Sequence, residues 1–175
     1  MRLGPAHLGE ADLARERMRE GEGLLERRVA SGIMSRAVSG YVALAHGDYE
    51  GAKRLFDESL ARHRELANSM GVAESLAGLA GVAAAAARVA APMKEQGEAE
   101  RAARLFAASE ALREASGGPQ WPAERAEWNR YLSMAQAQLG EEIWQAAWQE
   151  GRAMSMKQAI EYALEGSGSG GSDQP

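Results

Sequence analysis

The sequence predicts an all-α fold of about eight helices. Alanine is abundant, threonine is absent, and no six-residue segment alternates apolar and polar side chains as a half-buried strand does. Apolar side chains instead recur three and four positions apart through most of the chain, which is the spacing of one helix face. Glycine, proline and capping residues divide this pattern into successive helices.

The first two predicted helices cover residues 10–29 and 31–46. Gly21 and Gly23 interrupt the first, and each costs about 1 kcal/mol relative to alanine in a helix. Residues 1–9 before it are expected to be frayed, and Gly47 ends the second helix. The larger or more regular apolar members of the two helices are Ala11, Ala14, Met18, Leu25, Ile33, Val38, Tyr41, Val42 and Leu44.

Two further helices complete the first half of the chain. Asp48 is suited to cap the third, because its short carboxylate accepts a hydrogen bond from the first turn. The fourth, over residues 70–90, is small and apolar nearly all round, as expected of a helix enclosed by its neighbours. A longer connection is predicted over residues 88–98, which contain Pro92 and Gly97. The apolar face of the third helix carries Tyr49, Ala52, Leu55, Phe56, Ser59, Leu60, His63 and Leu66.

Residues 99–164 have the most regular pattern and predict four helices in succession. The first ends at residues 117–119, since two glycines and a proline cannot continue it. Pro122 suits the first turn of the second, where its missing N–H has no partner to lose, and Gly140 is predicted to cap the end of that helix. The inward positions of these two helices are Ala102, Leu105, Phe106, Ser109, Leu112, Trp128, Tyr131, Leu132, Ala135 and Leu139.

The last two helices begin with different signals. Glu141 and Glu142 favour the N-terminus of the third helix of this region, because the positive end of the helix dipole lies there. Ser155 and Gln158 have the spacing of a capping box and open the fourth. Their inward positions are Ile143, Trp144, Ala147, Trp148, Ala159, Ile160, Ala163 and Leu164; we interpret Trp144 and Trp148 as core packing rather than a ligand wall.

Composition and charge narrow the possible functions. The net charge is −5, so we expect no direct nucleic-acid binding, and the absence of cysteine excludes disulfides and thiol chemistry. The charged N-terminus does not resemble a signal peptide, and the alanine-rich stretch 76–91 is interpreted as too short and too weakly hydrophobic to span a bilayer. We therefore expect a cytoplasmic helical domain over residues 1–165, followed by a flexible glycine- and serine-rich linker or tail at 166–175.

An internal repeat runs through the middle of the chain. Val42 matches Val82 forty residues later, and the segment AKRLF at 52–56 matches AARLF at 102–106 fifty residues later. Helix pairs that repeat at such spacings are typical of solenoids, in which neighbouring pairs stack. The segment GDYEGAKRLF resembles the turn and following helix of a tetratricopeptide repeat. The predicted architecture is therefore antiparallel helix pairs stacked as a right-handed α-α superhelix.

A more specific resemblance rests on AERAARLFAASEALREA, PAERAEWNRYL and AQLGEEIWQAAWQEGRAMSMKQAIEYAL. These segments are similar to the C-terminal end of the tetratricopeptide-like sensor region in LuxR-type and MalT-like bacterial transcription factors and related multidomain proteins with a signal-transduction ATPase module. The resemblance covers roughly residues 31–164. It implies a scaffold for a protein partner or a small-molecule inducer, joined to other domains of a parent regulator. The chain has no Walker-type glycine loop and no helix-turn-helix, so ATP and DNA binding are not implied.

The candidate partner contacts follow from the repeat. If the two matched helices are equivalent, the sides opposite their Leu-Phe pairs face a groove. The residues on those sides are Arg54, Asp57, Glu58, Arg62, Arg104, Ser109 and Arg113. Trp121, in the loop before Pro122, is a further candidate for an exposed contact, and packing against the fifth predicted helix, which precedes it, is an alternative of at least equal weight.

We therefore expect a non-enzymatic sensor or protein-interaction domain. No nucleophile with an adjacent base, no set of metal ligands and no cofactor loop is recognisable, so no catalytic residue, metal or cofactor is predicted. His63 is interpreted as a histidine at the surface or boundary of its helix. Two alternatives remain open, namely an oligomerisation or scaffold module and, less favoured, an enzyme with a pocket in the helical array.

Overall fold

The computed structural model describes residues 33–88, 92–117 and 122–165, and throughout these ranges the chain is helical, without strands. The predicted helix at 10–29 and the linker at 166–175 lie outside the described residues. The described residues from Arg36 onward belong to one compact unit. The helices are α1 (Ile33–Ala45), α2 (Tyr49–Glu65), α3 (Ser69–Ala87), α4 (Pro92–Ala115), α5 (Pro122–Gln136), α6 (Glu141–Ala153) and α7 (Met156–Glu165).

The turns before α2 and α3 have the same construction. At the first, Gly47 has a φ of +80° and the Asp48 carboxylate accepts a hydrogen bond from the amide three residues on, which confirms the predicted cap. At the second, Ala67 takes the left-handed position with a φ of +49°, and Asn68 caps α3 in the same way. Backbone amides that follow α1 and α2 donate to carbonyl oxygens in the last turn of each helix, so α1 and α2 both end in Schellman motifs.

Helix α3 lies at the centre of the fold. It packs against α2, α4, α5 and α7, and nearly all its residues are buried, as its small apolar composition predicted. Within the described ranges it is the one helix long and apolar enough to cross a membrane by length and composition, which corrects the interpretation of the stretch 76–91. However, 83% of its most apolar window is buried inside the fold, as in the core helix of a globular domain.

The connection predicted at 88–98 is shorter than expected. Helix α4 begins at Pro92, whose fixed φ suits a first helical turn, and it continues through Gly97. Gly97 is exposed and has no neighbouring atoms within reach of an added Cβ, so the helix tolerates it at only an intrinsic cost.

The ends of α5 and α6 correct a second boundary. Helix α5 begins at Pro122 as predicted but ends at Gln136, before Leu139. Gly140 does not cap α5; with a φ of −67° it is the extended residue that precedes α6, whose first turn carries the two predicted glutamates. The capping box of α7 is confirmed, since Ser155 N donates to Gln158 Oε1 at 2.9 Å and Gln158 N to Ser155 Oγ at 3.3 Å.

The packing order of the last helices is not that of a simple stack. Helix α4 packs against α3, α5, α6 and α7, and α7 returns to contact α3 and α4. In a solenoid each repeat contacts only its neighbours. The described residues confirm the all-α class, because they form helices and no strand. They do not confirm the right-handed superhelix or the count of about eight helices. Among the described residues, Ile143, which the sequence predicts to face inward, is exposed, and so are three other large apolar side chains: Val38, Val42 and Leu66.

Candidate functional site

The structure divides the predicted contact residues into two groups on different helices. Those on α2 lie at or near the surface, whereas those on α4 take part in packing between helices. Trp121 lies outside the described residues.

Three of the α2 residues form one line on the surface. Arg54, Glu58 and Arg62 are four positions apart, and all three are exposed. Two of them make ion pairs: Arg36 Nε lies 3.1 Å from Glu58 Oε2, and Arg62 Nη1 lies 2.9 Å from Glu65 Oε2. We call Arg54, Glu58 and Arg62 the α2 charged stripe. Its alternating charges can pair with a partner surface that carries the opposite order of charges.

Asp57 lies beside this stripe rather than in it. Its carboxylate is half-buried, and Lys53 Nζ lies 2.8 Å from Asp57 Oδ2, four positions apart on the same helix. This pair stabilises α2 locally. His63, on the other side of the helix, is 6% exposed and therefore buried, contrary to its interpretation as a surface or boundary histidine.

Ser109 does not fit its predicted role as a partner contact. It is fully buried, and its Oγ donates a hydrogen bond to the carbonyl oxygen of Ala73 at 2.7 Å. This bond joins α4 to α3 and satisfies a hydroxyl that has no access to water. The same position had also been assigned to the inward stripe of the helix, and that assignment is the one that the structure bears out.

Arg104 links three helices. Its guanidinium donates to Glu100 on α4 at 3.2 Å and to Glu150 on α6 at 2.6 Å, and the Tyr162 side chain of α7 lies close enough to affect its pKa. Partial burial lowers the pKa of Arg104, but the hydrogen bonds to Glu150 and Tyr162 outweigh that effect, so its pKa is raised. Arg104 is therefore occupied within the fold rather than directed into an open groove.

The close contact between α4 and α6 is not predicted by the sequence. At Gly151 the two helices approach so closely that an added Cβ would overlap the carbonyl oxygen of Arg104. The next residue, Arg152, forms ion pairs with Glu110 at 2.9 Å and Glu114 at 2.6 Å, both on α4. We call this contact the α4–α6 seam. Its sequence signal is a glycine flanked by opposite charges, Glu-Gly-Arg, facing glutamates one turn apart.

The ion pairs of the seam also shift the pKa values of Glu114 and Arg152. The hydrogen bond from Arg152 lowers the pKa of the Glu114 carboxyl below its ordinary value. The same bond is the main reason that the pKa of Arg152 is raised. Both side chains are exposed at the surface, so solvent screens the interaction. The pair therefore makes a modest contribution to the stability of the contact between α4 and α6.

Arg113 covers an aromatic ring. Its guanidinium carbon lies 5.6 Å from the ring centroid of Trp128, and that ring meets Phe106 edge-on at a centroid distance of 4.9 Å. On α6, Trp144 and Trp148 stack with their centroids 5.3 Å apart, and Trp144 is buried at 6% exposure. These aromatic groups pack within the fold, and Arg113 shields one edge of them.

The last turn of α7 is held from α4. Arg101 donates from Nη1 to the Tyr162 carbonyl oxygen at 3.2 Å and from Nη2 to that of Ala163 at 2.7 Å, while its guanidinium lies 5.2 Å from the Tyr162 ring centroid. The final carbonyls of a helix have no partner within it, so this arginine satisfies two of them. We call Arg101, Arg104 and Tyr162 the α7 clasp.

The described residues contain no cluster of three or more metal-ligating side chains. Comparison with protein-family models, with curated proteins and with solved structures finds no match to this chain.

Proposed function

We propose that this chain is a non-enzymatic sensor or protein-interaction domain of a bacterial transcriptional regulator, that it acts in the cytoplasm, and that its helices are related to tetratricopeptide repeats. The observation that supports the proposal is that the two halves of the fifty-residue match have equivalent structural roles. Phe56 and Phe106 are both buried, and so are Ser59 and Ser109.

The equivalence extends to the partners of these side chains. Phe56 meets the Tyr41 ring edge-on at 5.0 Å, and Phe106 meets the Trp128 ring edge-on at 4.9 Å. The serine three positions after each phenylalanine bonds to α3, through Ser75 in one case and through a backbone carbonyl in the other. Two copies of one packing unit on either side of α3 are consistent with helix pairs that repeat.

The binding surface in this proposal is the α2 charged stripe. Its members are exposed and lie on one face, whereas the predicted contacts on α4 are occupied within the fold. An alternating row of arginine and glutamate favours a polar protein surface of complementary order and suppresses partners with the wrong order.

A position-specific crosslinking experiment tests this surface. A photo-crosslinking residue replaces Arg54 or Arg62 in a bacterium that encodes the chain, with Lys157 on α7 as the control position because it is also highly exposed. We expect the same protein to be crosslinked from both stripe positions and not from Lys157. Equal yields from all three positions would contradict the assignment of the surface.

Charge reversal supplies the matched test. With the crosslinking residue at Glu50, one turn before the stripe, the double substitution Arg54→Glu and Arg62→Glu is expected to lower the yield at least tenfold, since like charges then face each other. The matched control is Lys157→Glu, which makes a charge reversal elsewhere on the surface. An unchanged yield in the stripe variant would show that the partner binds another face.

A thermal-shift screen against metabolites and nucleotides distinguishes a small inducer from a protein partner. A ligand that binds the folded state alone stabilises it, by about 2.7 kcal/mol at one hundred times its dissociation constant. A dose-dependent rise in melting temperature would identify an inducer. Chemical turnover of a stabilising compound, followed by mass spectrometry, would overturn the non-enzymatic proposal.

A further inference from the structure

Helix α7 is attached to the fold through helices that are distant from it in the chain. It packs against α3 and α4 far more than against α6, which directly precedes it. Its buried side chains are Ala159, Ile160 and Ala163, and its other face is exposed. The site that holds α7 is therefore complete without α6.

The site recognises a helix of a particular kind. Small side chains at Ala159 and Ala163, one turn apart, allow a close approach to α3 and α4. At the far end, Arg101 binds the last carbonyls, and its guanidinium carbon lies 5.2 Å from the centroid of the Tyr162 ring. The groove thus selects an amphipathic helix with small inward residues and a tyrosine in its last turn.

The connection between α6 and α7 can be rearranged at low cost. Only Met154 and Ser155 separate the two helices, and Met154 has an extended backbone with a ψ of 131°. Neither residue is a glycine or a proline, and methionine favours helix. If both residues become helical, α6 and α7 join into one helix over residues 141–165, and α7 then leaves its own site.

We propose that α7 is exchanged between two copies of this chain, so that the α3–α4 groove of each copy, with Arg101 and Arg104, holds the α7 of the other. A second copy carries a helix that is known to fit this groove, because its own α7 has the same sequence. We call Met154 and Ser155 the hinge, and the exchange preserves the contacts of α7 outside it. Exchange of an identical element between two chains is a low-cost route to a dimer. This inference does not depend on the proposed function.

Crosslinking between two marked chains tests the exchange. The chain has no cysteine, so Glu98→Cys in one full-length chain and Glu165→Cys in a differently tagged chain provide single reactive sites. The two are unfolded together, refolded at high concentration and treated with a short bis-maleimide. We expect a crosslinked heterodimer of exchanged chains. As a control, a chain with both substitutions is refolded at low concentration, and its internal crosslink shows that the reagent spans the distance between the two positions.

Substitutions at the hinge separate exchange from other kinds of association. Met156→Pro is compatible with the closed form, because proline suits the first helical position, but it prevents one continuous helix. We expect it to abolish the dimer, whereas the matched control Met156→Ala, which removes the same side chain, retains it. Ser155→Ala removes the cap of α7, which exists only when α6 and α7 are separate helices. The ratio of exchanged to unexchanged α7 helices is therefore expected to rise about fivefold.

Size-exclusion chromatography with light scattering provides the readout, with circular dichroism to show that each variant is folded. A monomer at every concentration in the parent chain and in Ser155→Ala would overturn the proposal. A dimer that persists unchanged in Met156→Pro would also overturn it, since the dimer would then use another surface, such as the exposed Val38 and Val42 of α1.

Discussion

Helices α2 and α3 meet beside the ring of Phe56, and helices α4 and α6 meet at Gly151, and both contacts depend on a missing Cβ. The Phe56 ring lies between two glycines, Gly40 on α1 and Gly78 on α3, and a Cβ at Gly40 would come within 2.8 Å of it. At Gly151 the obstacle is the main chain of the facing helix, at the carbonyl of Arg104. One contact is limited by a side chain and the other by a backbone.

The polar groups at the two contacts differ in how deeply they are buried. Between α2 and α3 the polar groups are fully buried hydroxyls: Ser75 Oγ lies 3.0 Å from Ser59 Oγ and 2.8 Å from the carbonyl oxygen of Gly71. At the α4–α6 seam they are ion pairs at the rim, where water reaches them. A buried contact must satisfy its polar atoms internally, whereas a seam at the surface can use charges of modest strength.

The largest effect is expected for Gly151→Ala. The new methyl group would overlap the Arg104 carbonyl and lie 2.8 Å from Ala107 Cβ, so the helices would have to separate. We expect the free energy of unfolding to fall by about 3 kcal/mol, measured by urea denaturation. The control is Gly97→Ala on α4, which meets no atom and should instead stabilise by about 1 kcal/mol.

A smaller effect is expected for Gly78→Ala, because a ring can move where a backbone cannot. The added methyl would overlap the Phe56 ring, and we expect a loss of about 2 kcal/mol. In a Phe56→Leu background the same substitution should cost at least about 1 kcal/mol less, measured as a double-mutant cycle. An additive cycle would show that the ring is not what restricts this position.

The ends of the helices show how much of the fold the sequence predicts. The described helices, the Asp48 cap, the start at Pro122 and the capping box at Ser155 follow from local rules and are confirmed, whereas the predicted helix at 10–29 lies outside the described residues. The start of α4 at Pro92 and the end of α5 do not, because proline and glycine are each compatible with more than one place at a helix end.

The third prediction concerns the buried serines. Ser75→Ala deprives the Ser59 hydroxyl of its hydrogen-bond partner, and we expect a loss of about 1.5 kcal/mol in urea denaturation. The double variant Ser59→Ala and Ser75→Ala should cost no more than the single one, since no hydroxyl is then left unsatisfied. A double variant that costs the sum of two single losses would contradict this account.

The candidate site was predictable in part. The common face of Arg54, Glu58 and Arg62 follows from their spacing of four on one helix, whereas the half-buried place of Asp57, predicted with them as a contact, does not. The occupation of Arg104 by Glu150 and Tyr162 does not follow, because it depends on which helices return to α4. Such contacts are set by tertiary packing across more than forty residues, and no local spacing encodes them.

The smallest effect is expected at the rim of the seam, where the ion pairs of Arg152 are exposed. Arg152→Gln should cost less than about 1 kcal/mol at pH 7 and low salt, and the cost should shrink at high salt. Lys157→Gln is the control, since its pair with Glu161 is longer at 3.7 Å and lies within one helix. An equal cost for both substitutions would mean that the seam gains nothing from joining two helices.

The pH dependence of the same pair has a definite sign. The folded protein lowers the pKa of Glu114, whose usual value is 4.5, so its stabilising effect is complete above that value and is lost as pH falls through the folded pKa. In Glu114→Gln, the loss of stability between pH 6 and pH 3 should therefore be smaller than in the parent chain. Urea midpoints at these two pH values measure it, and Arg152→Gln should reduce the pH dependence in the same direction. If neither substitution changes it, the bond from Arg152 to Glu114 does not persist in solution and does not contribute to the α4–α6 seam.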